Sequence, residues 1–232
     1  MKLIQTVGII FNSRAPKAVS MADDVQRNVS ETHDCWKEEA GGVARRPELA
    51  TTDLLITVGG DGTILRAAQA AAPHRVPILG INLGRLGFMT ELSAEEALMK
   101  LPSFLDGGGW LEERSMVQVS VKYSDGSNEK QESTEYHALN DIVLGRGAVA
   151  RVIRVQAWID GAYLTSYRAD AIVICTATGS TGYNLSAGGP ILEPQAAEMV
   201  LKPVAPHVGI ATALVLPGSA MVELQIESED PA

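Results

Sequence analysis

The chain has little of what would tie it to nucleic acid, a membrane, a metal cage or an oxidising compartment. Against 28 Asp and Glu it carries only 19 Lys and Arg, a formal net charge of −9 over 232 residues, and the cations nowhere form a run. A nucleic-acid or anionic-membrane partner needs a positive stripe, so neither is expected. No stretch approaches the roughly 20 apolar residues that cross a bilayer. Residues 1–11 hold one lysine and an apolar run broken by Gln5, Thr6 and Gly8, too weak for the core of a signal peptide. The two cysteines, Cys35 and Cys175, lack CxxC spacing, which fits a reduced cytoplasmic setting. His33, His74, His137 and His207 are scattered, without metal-ligand spacing.

What is present, 46% hydrophobic and 20% charged, is ordinary for one large or two modest folded domains, and it is organised around residues 53–72. Leu54 to Val58 are apolar apart from Thr57, the run breaks at Gly59-Gly60-Asp61-Gly62-Thr63, and an alanine-rich helix follows as far as Pro73. A short apolar run bounded by glycines and alternating with helices reads as a strand buried on both faces of a parallel sheet. Its carboxyl end opens onto the crevice where such sheets bind ligands. Glycines let backbone approach a ligand, and the unpaired N–H groups of the next helix attract phosphate. A carboxylate there has a functional and a local explanation. Asp61 takes a proton from a hydroxyl or holds a metal that bridges phosphates; alternatively it is only the helix N-cap, with Thr63 assisting.

The same alternation recurs around this unit. Residues 6–12 and 77–82 read as further buried strands, and 16–29 as a helix with Pro16 in its first turn and Ala18, Met21, Val25 and Val29 on one face. Residues 33–52 show no clear pattern. Gly80, Gly84 and Gly87, beside Asn82 and Phe88, match no phosphate fingerprint; they suggest backbone lining a pocket or a plain turn. Ser93 with Glu96 predicts a capping box for a helix over 94–105, ended by Asp106-Gly107-Gly108-Gly109.

Beyond that point the period changes. Val117, Val119, Val121 and Tyr123 alternate with polar residues before Asp125-Gly126, and Ile153, Val155, Ala157 and Ile159 alternate before Asp160-Gly161, with 162–168 returning as a hairpin partner. The expected organisation is therefore an α/β N-terminal domain with a parallel sheet over 1–107 and a mostly antiparallel β domain over 108–232. Ala171 to Cys175 reads as a buried strand, and residues 176–190 are dense in small residues, hydroxyls and glycines. Thr178, Ser180, Thr181 and Ser186 are candidates to cradle a ribose, a diphosphate or a polar base, with a ligand-free polar loop as the alternative.

Other chemistries are set aside. No Gly-Lys pair exists for a phosphate-binding Walker loop, and no protein-kinase motif occurs. Gly145, Gly147 and Ala150 imitate a dinucleotide fingerprint but precede an alternating strand rather than a helix. No G-x-S-x-G elbow supports a hydrolase.

Taken together, the 59–63 turn, the Gly80-Ile81-Asn82-x-Gly84-x-Leu86-Gly87-Phe88 segment, Asn140-Asp141, Asp170, Thr178-Gly179-Ser180-Thr181-Gly182-Tyr183 and Ser186-Ala187-Gly188-Gly189-Pro190 resemble the NAD kinase family in order and spacing, over nearly the whole chain. The resemblance implies transfer of the ATP γ-phosphoryl group to the 2′-hydroxyl of the adenosine ribose of NAD, giving NADP, with Mg²⁺ or another divalent metal. It implies Asp61 as general base, with Gly62 and Arg66 as nucleotide contacts and Phe88 lining the pocket. Asn140 and Asp141 match the family's Asn-Glu pair, and Arg151, Arg168, Asp170, Thr181, Gly182, Tyr183, Asn184, Ser186 and Ala205 match other dinucleotide-binding positions. It further implies a homodimer or homotetramer. Three departures stand out: Asp141 where Glu is usual, Gly182 where Ala is usual and Ala177 where Pro is usual. Family members typically continue through further strands beyond the position of Glu227, so a missing C-terminal tail is expected here. The alternatives carried forward are a lipid or small-alcohol kinase with the same aspartate turn, and a non-catalytic NAD-binding module.

Overall fold

The computed structural model describes residues 3–84, 89–122, 133–145 and 152–227, and the chain divides into two compact units, residues 1–111 and 112–232. The first unit runs β1 (Thr6–Phe11), α1 (Pro16–Val29), β2 (Asp34–Glu39), β3 (Leu54–Val58), α2 (Asp61–Ala71), β4 (Ile78–Asn82), β5 (Leu92–Ser93) and α3 (Ala94–Leu105). All five strands pair in parallel, in the order β2-β1-β3-β4-β5. β3 is buried along its whole length because helices cover both faces of the sheet. On one face Val7, Ile9, Ile56 and Ile81 meet Ala18 and Val25 of α1 and Leu101 of α3; on the other, Ile10 and Leu55 meet Ala67, Ala70 and Ala71 of α2. This two-sided covering is why the parallel strands read as continuous apolar runs rather than alternating ones.

Strand order reverses between β1 and β3, and an open α/β sheet forms its ligand crevice at the carboxyl ends of strands at such a switch point. The 59–63 turn leaves β3 there. Beside it the chain leaves β1 at Asn12, whose N–H donates to the Val58 carbonyl at 3.2 Å.

Residues 33–52, patternless in sequence, supply edge strand β2 and two 3-10 turns, Val43–Arg45 and Pro47–Thr51. Only Trp36 of β2 is buried. It sits opposite Gly8 of β1, where a Cβ would lie 2.4 Å from the indole and 2.5 Å from Leu55. The Trp36 ring N–H donates to Thr52 Oγ1 at 3.0 Å, and the Arg46 guanidinium stacks 5.3 Å from the ring centroid. At α3 the capping box forms as expected, with Glu96 accepting from the Ser93 N–H at 3.4 Å.

The second unit contains β6 (Val117–Lys122), β7 (Ser133–Ala138), β8 (Asp141–Gly145), β9 (Ile153–Ile159), β10 (Ala162–Ala169), β11 (Ala171–Cys175), the single helical turn α4 (Tyr183–Ser186), β12 (Met199–Val204), β13 (Leu214–Leu216) and β14 (Val222–Ile226). They form antiparallel sheets ordered β10-β9-β14 and β13-β12-β11-β8, with β6 and β7 as a separate ribbon. The β9–β10 hairpin turns through Asp160 (φ 50°) and Gly161 (φ 79°), the two positive values that a type I′ turn requires. Val155, Ala157, Tyr167, Ile172 and Leu201 fill the core of this unit. Among the described residues, no helix is long and apolar enough to cross a membrane. Phe88, Arg151 and the 125–126 turn lie outside the described residues.

Candidate functional site

In the first unit the site is built by the turn between β3 and α2. Gly59 is tied to the sheet by its N–H, which donates to the Ile81 carbonyl at 2.9 Å. A Cβ there would strike the Thr63 hydroxyl at 2.3 Å, so this glycine is required for the turn to close on itself. Gly60 and Gly62 differ: a Cβ on either would meet nothing within 4 Å, and both are exposed. Their missing side chains leave open space rather than fill a contact.

The alternative in which Asp61 is only the helix N-cap does not hold. Gly60 is the N-cap, no side chain caps the helix, and Asp61 is the first residue of α2. The half-buried Asp61 carboxylate has Oδ1 shielded from water and without a partner among the described residues. An acceptor desolvated in this way is costly unless a donor arrives from outside. Around it, the Thr63 N–H turns back to the Gly60 carbonyl at 2.8 Å, the N–H groups of Asp61 and Gly62 precede the first α-helical hydrogen bonds, and Arg66, one turn beyond Gly62, shares the exposed face of the helix.

Nearby on β4, the Asn82 side chain is fixed from both ends. Its amide donates to Thr90 Oγ1 at 3.4 Å, and its Oδ1 accepts from the Gly84 N–H at 3.0 Å. The Glu91 carboxylate accepts from the Gly80 N–H at 2.6 Å. These bonds tie residues 80–84 to residues 90 and 91.

In the second unit the bend that follows β11 is a 3-10 turn, Thr178–Thr181, running into α4. It packs on the backbone of Asn140: the Thr176 N–H donates to the Asn140 carbonyl at 2.9 Å, Thr176 Oγ1 donates to the Leu139 carbonyl at 2.5 Å, and the Gly179 N–H donates to Thr176 Oγ1 at 3.1 Å. A Cβ on Gly179 would lie 2.0 Å from the Asn140 carbonyl oxygen. Close backbone approach, not a ligand, demands that glycine.

The same holds for part of the hydroxyl density. Ser180 is fully buried; its Oγ donates to the Ala177 carbonyl at 2.6 Å and accepts from the Leu192 N–H at 3.0 Å, so it offers nothing to a ligand. Asn184, also fully buried, donates both amide hydrogens, to the carbonyls of Ser180 at 3.0 Å and Pro190 at 2.8 Å. That leaves Tyr183 and Ser186 exposed, Thr181 and Gly182 half-buried. The Oδ1 atoms of Asn140 and Asn184 remain buried acceptors with no partner among the described residues.

Asp141 begins β8 opposite Cys175, and a Cβ on Gly182 would lie 3.7 Å from its Oδ2. Burial raises the Asp141 carboxyl above its ordinary range. The buried Cys175 thiol is pushed up to about 11, first by desolvation and then by the negative charge of Asp141.

Antiparallel pairing brings Asn140, Asp141, Thr181, Gly182, Tyr183, Asn184 and Ser186 to one end of β11. It puts Arg168, Asp170 and Ala205 at the other: the Asp170 N–H donates to the Val204 carbonyl at 3.0 Å, and Ala205 has a left-handed φ of 44°. The two groups are separated by the five residues of β11, about 17 Å of extended chain. Sequence reading missed one further cation. Arg114 reaches the bend and donates from Nη1 to Thr178 Oγ1 at 3.3 Å.

Comparison with known proteins agrees over both units. The family model of the ATP-NAD kinase N-terminal domain matches residues 37–109, and that of the ATP-NAD kinase C-terminal domain matches residues 139–232. An NAD kinase of Dehalococcoides mccartyi is 40% identical over 228 residues, 97% of this chain and 79% of the relative. One from Chloroflexus aggregans is 40% identical over 236 residues, 99% and 82%. Among solved structures, yeast NADH kinase complexed with NADH superposes with a TM-score of 0.79 at 27% identity, covering 98% of this chain and 74% of that one. An NAD kinase from Archaeoglobus fulgidus in complex with ATP gives 0.71 at 26%, covering 96% and 81%.

Proposed function

This chain belongs to the NAD kinase family, and from that premise we propose how its residues carry out ATP-dependent phosphorylation of NAD to NADP. Asp61 is the general base. The observation that carries this reading is its shielded, unpartnered Oδ1 at the head of α2, between two glycines whose Cβ positions are open. The ribose 2′-hydroxyl of the adenosine moiety donates to that oxygen. As its oxygen bonds to the γ-phosphorus and the bond to the ADP oxygen breaks, the proton passes to the carboxylate. Phosphoryl transfer needs positioning and charge neutralisation more than covalent help. The α2 N–H groups and Arg66 supply positive character in an otherwise acidic chain.

A divalent ion fits this site only as a passenger of the nucleotide. No group of three or more His, Cys, Asp or Glu able to hold a metal occurs among the described residues. Mg²⁺ is commonly bound by phosphates, waters and one or two carboxylates, and Asp61 is the carboxylate of this turn that would serve such an ion. Its contribution would be to neutralise charge on the transferred group.

NAD is held by Asn140, Asp141, Thr181, Gly182, Tyr183 and Ser186, the unpartnered Asn140 Oδ1 accepting from the ligand, with Phe88 and Arg151 assigned by resemblance; Asn184, buried with both amide hydrogens bonded inside the bend, supports these residues rather than touching NAD. Arg168, Asp170 and Ala205, at the far end of β11, serve the site of a second copy in a homodimer or homotetramer. The unpaired cysteines support a cytoplasmic setting.

One assay tests these assignments: purified protein with NAD, ATP and Mg²⁺, with NADP read by a coupled dehydrogenase. Asp61→Asn should lower kcat by about 10²–10⁴; an equal rate removes Asp61 from the role of base. NAD binding without turnover in the native chain would indicate a non-catalytic module. Inactive Asn140→Ala and Arg168→Ala chains, unfolded and refolded together, should regain about a quarter of native activity, because half the dimers would then hold one intact site. No regain would put both groups in the same copy's site.

A further inference from the structure

We propose that Arg114 is a positioning residue for NAD, acting through Thr178 on the bend that presents Thr181 and Tyr183. The proposal rests on the NAD kinase reading of that bend and adds to it a residue that neither family model reaches, since those end at 109 and resume at 139.

The bend needs an outside tie. Its regular part is one four-residue 3-10 turn and one four-residue helical turn, too short to hold shape by their own hydrogen bonding. Most of its anchors are local or come from the neighbouring strand end, as with Thr176 on Leu139 and Ser180 on Ala177. Thr178 is different: buried to 9% exposure, its hydroxyl accepts from a guanidinium 64 residues earlier.

That guanidinium is itself held. Glu112 pairs with Nη2 of Arg114, and the two side chains are 33% and 25% exposed. With one nitrogen on a carboxylate and another on the hydroxyl, the planar fork is fixed in direction. The Thr178 carbonyl in turn accepts from Thr181 Oγ1 at 3.3 Å. A chain of contacts therefore runs from Glu112 through Arg114 and Thr178 to Thr181.

The physical consequence is preorganisation. Without the tie, NAD would have to order the bend as it binds, and that cost appears as weaker binding rather than slower chemistry. The residue touches the bend and not the reacting atoms.

The test is steady-state kinetics with melting temperatures for Arg114→Gln, Arg114→Lys, Thr178→Val, Thr178→Ser and the Arg114→Gln/Thr178→Val double variant. Expected are an approximately tenfold rise in KM for NAD in each of Arg114→Gln and Thr178→Val, with kcat and KM for ATP within about twofold. The double variant should be no worse than either single, the signature of one shared interaction. Thr178→Ser, which keeps the hydroxyl, should restore native KM, and Arg114→Lys should restore it in part. Unchanged KM for NAD in Thr178→Val, or single effects that multiply in the double variant, would overturn the proposal. Should Arg114→Gln fail to fold, the Thr178→Val and Thr178→Ser pair decides alone. A native protein that makes no NADP would instead refute the functional reading on which the proposal stands.

Discussion

Replacing Gly62 by alanine should make the protein more stable and a worse catalyst. Gly62 is the second residue of α2, it is absent from the positive-φ glycines, and a Cβ built on it meets nothing within 4 Å. The methyl therefore causes no clash in the free protein. Alanine gains about 0.8–1 kcal/mol over glycine inside a helix, partly by restricting the unfolded chain. At the second helical position we take about 0.5 kcal/mol, which for a chain of this size raises the melting temperature by roughly 1–2 °C. The same methyl occupies the open side of the turn, next to Asp61, where substrate must approach. A displacement of about 1 Å from the reactive arrangement costs on the order of 100-fold in rate, so kcat/KM should fall by one to two decades. Differential scanning calorimetry and the coupled NADP assay measure the two effects separately. Native turnover in Gly62→Ala would refute the reasoning, because the exposed side of this turn would then not be the side that substrate uses.

The remaining expectations concern the second unit. Gly179→Ala should act oppositely on stability: its Cβ would fall 2.0 Å from a backbone oxygen that no rotamer change can move, a cost of about 2–3 kcal/mol, seen as a melting temperature lower by roughly 4–12 °C; a shift under about 1 °C would show that the bend does not rest on Asn140. Asp141→Asn should stabilise the protein at neutral pH. Because burial raises the Asp141 carboxyl in the folded state, the folded chain holds that proton more tightly, and native stability falls as pH rises from the ordinary carboxylate pKa through the raised one. Urea denaturation should show the advantage of Asn at pH 7 shrinking toward pH 3, where the native carboxyl is protonated in both states; an advantage that grew on acidification would contradict this sign.

The sequence disclosed elements whose signals are local. α1 and α3 announce themselves by helical spacing, a first-turn proline and a capping box, and β3 by an apolar run that both helical layers bury. β2 could not be read, because five of its six residues are polar or sulfur-bearing, only Trp36 is buried, and Cys35 alone packs in part against the core on the opposite face. β5 is two residues long and defined only by its pairing with β4. The residues of the aspartate turn were legible, whereas whether Asp61 caps α2 depended on where that helix begins. In the second unit glycine and hydroxyl density set the bend apart, but Gly179, Ser180 and Asn184 shape it from inside. Nothing local marks Arg114, whose partner lies 64 residues away.

The slot at Gly8 has a consequence for how the parallel sheet ends. A polar outer strand has no apolar face with which to select its alignment, and misalignment by one step is the usual hazard of such strands. Here a single indole drops into the gap left by one missing side chain. Sliding β2 by one residue either way would press that ring onto Val7 or Ile9, so one lock-and-key contact sets the alignment of the border strand, while its charges, Lys37 paired with Asp23 and Glu38 with Arg46, discourage another chain from adding on.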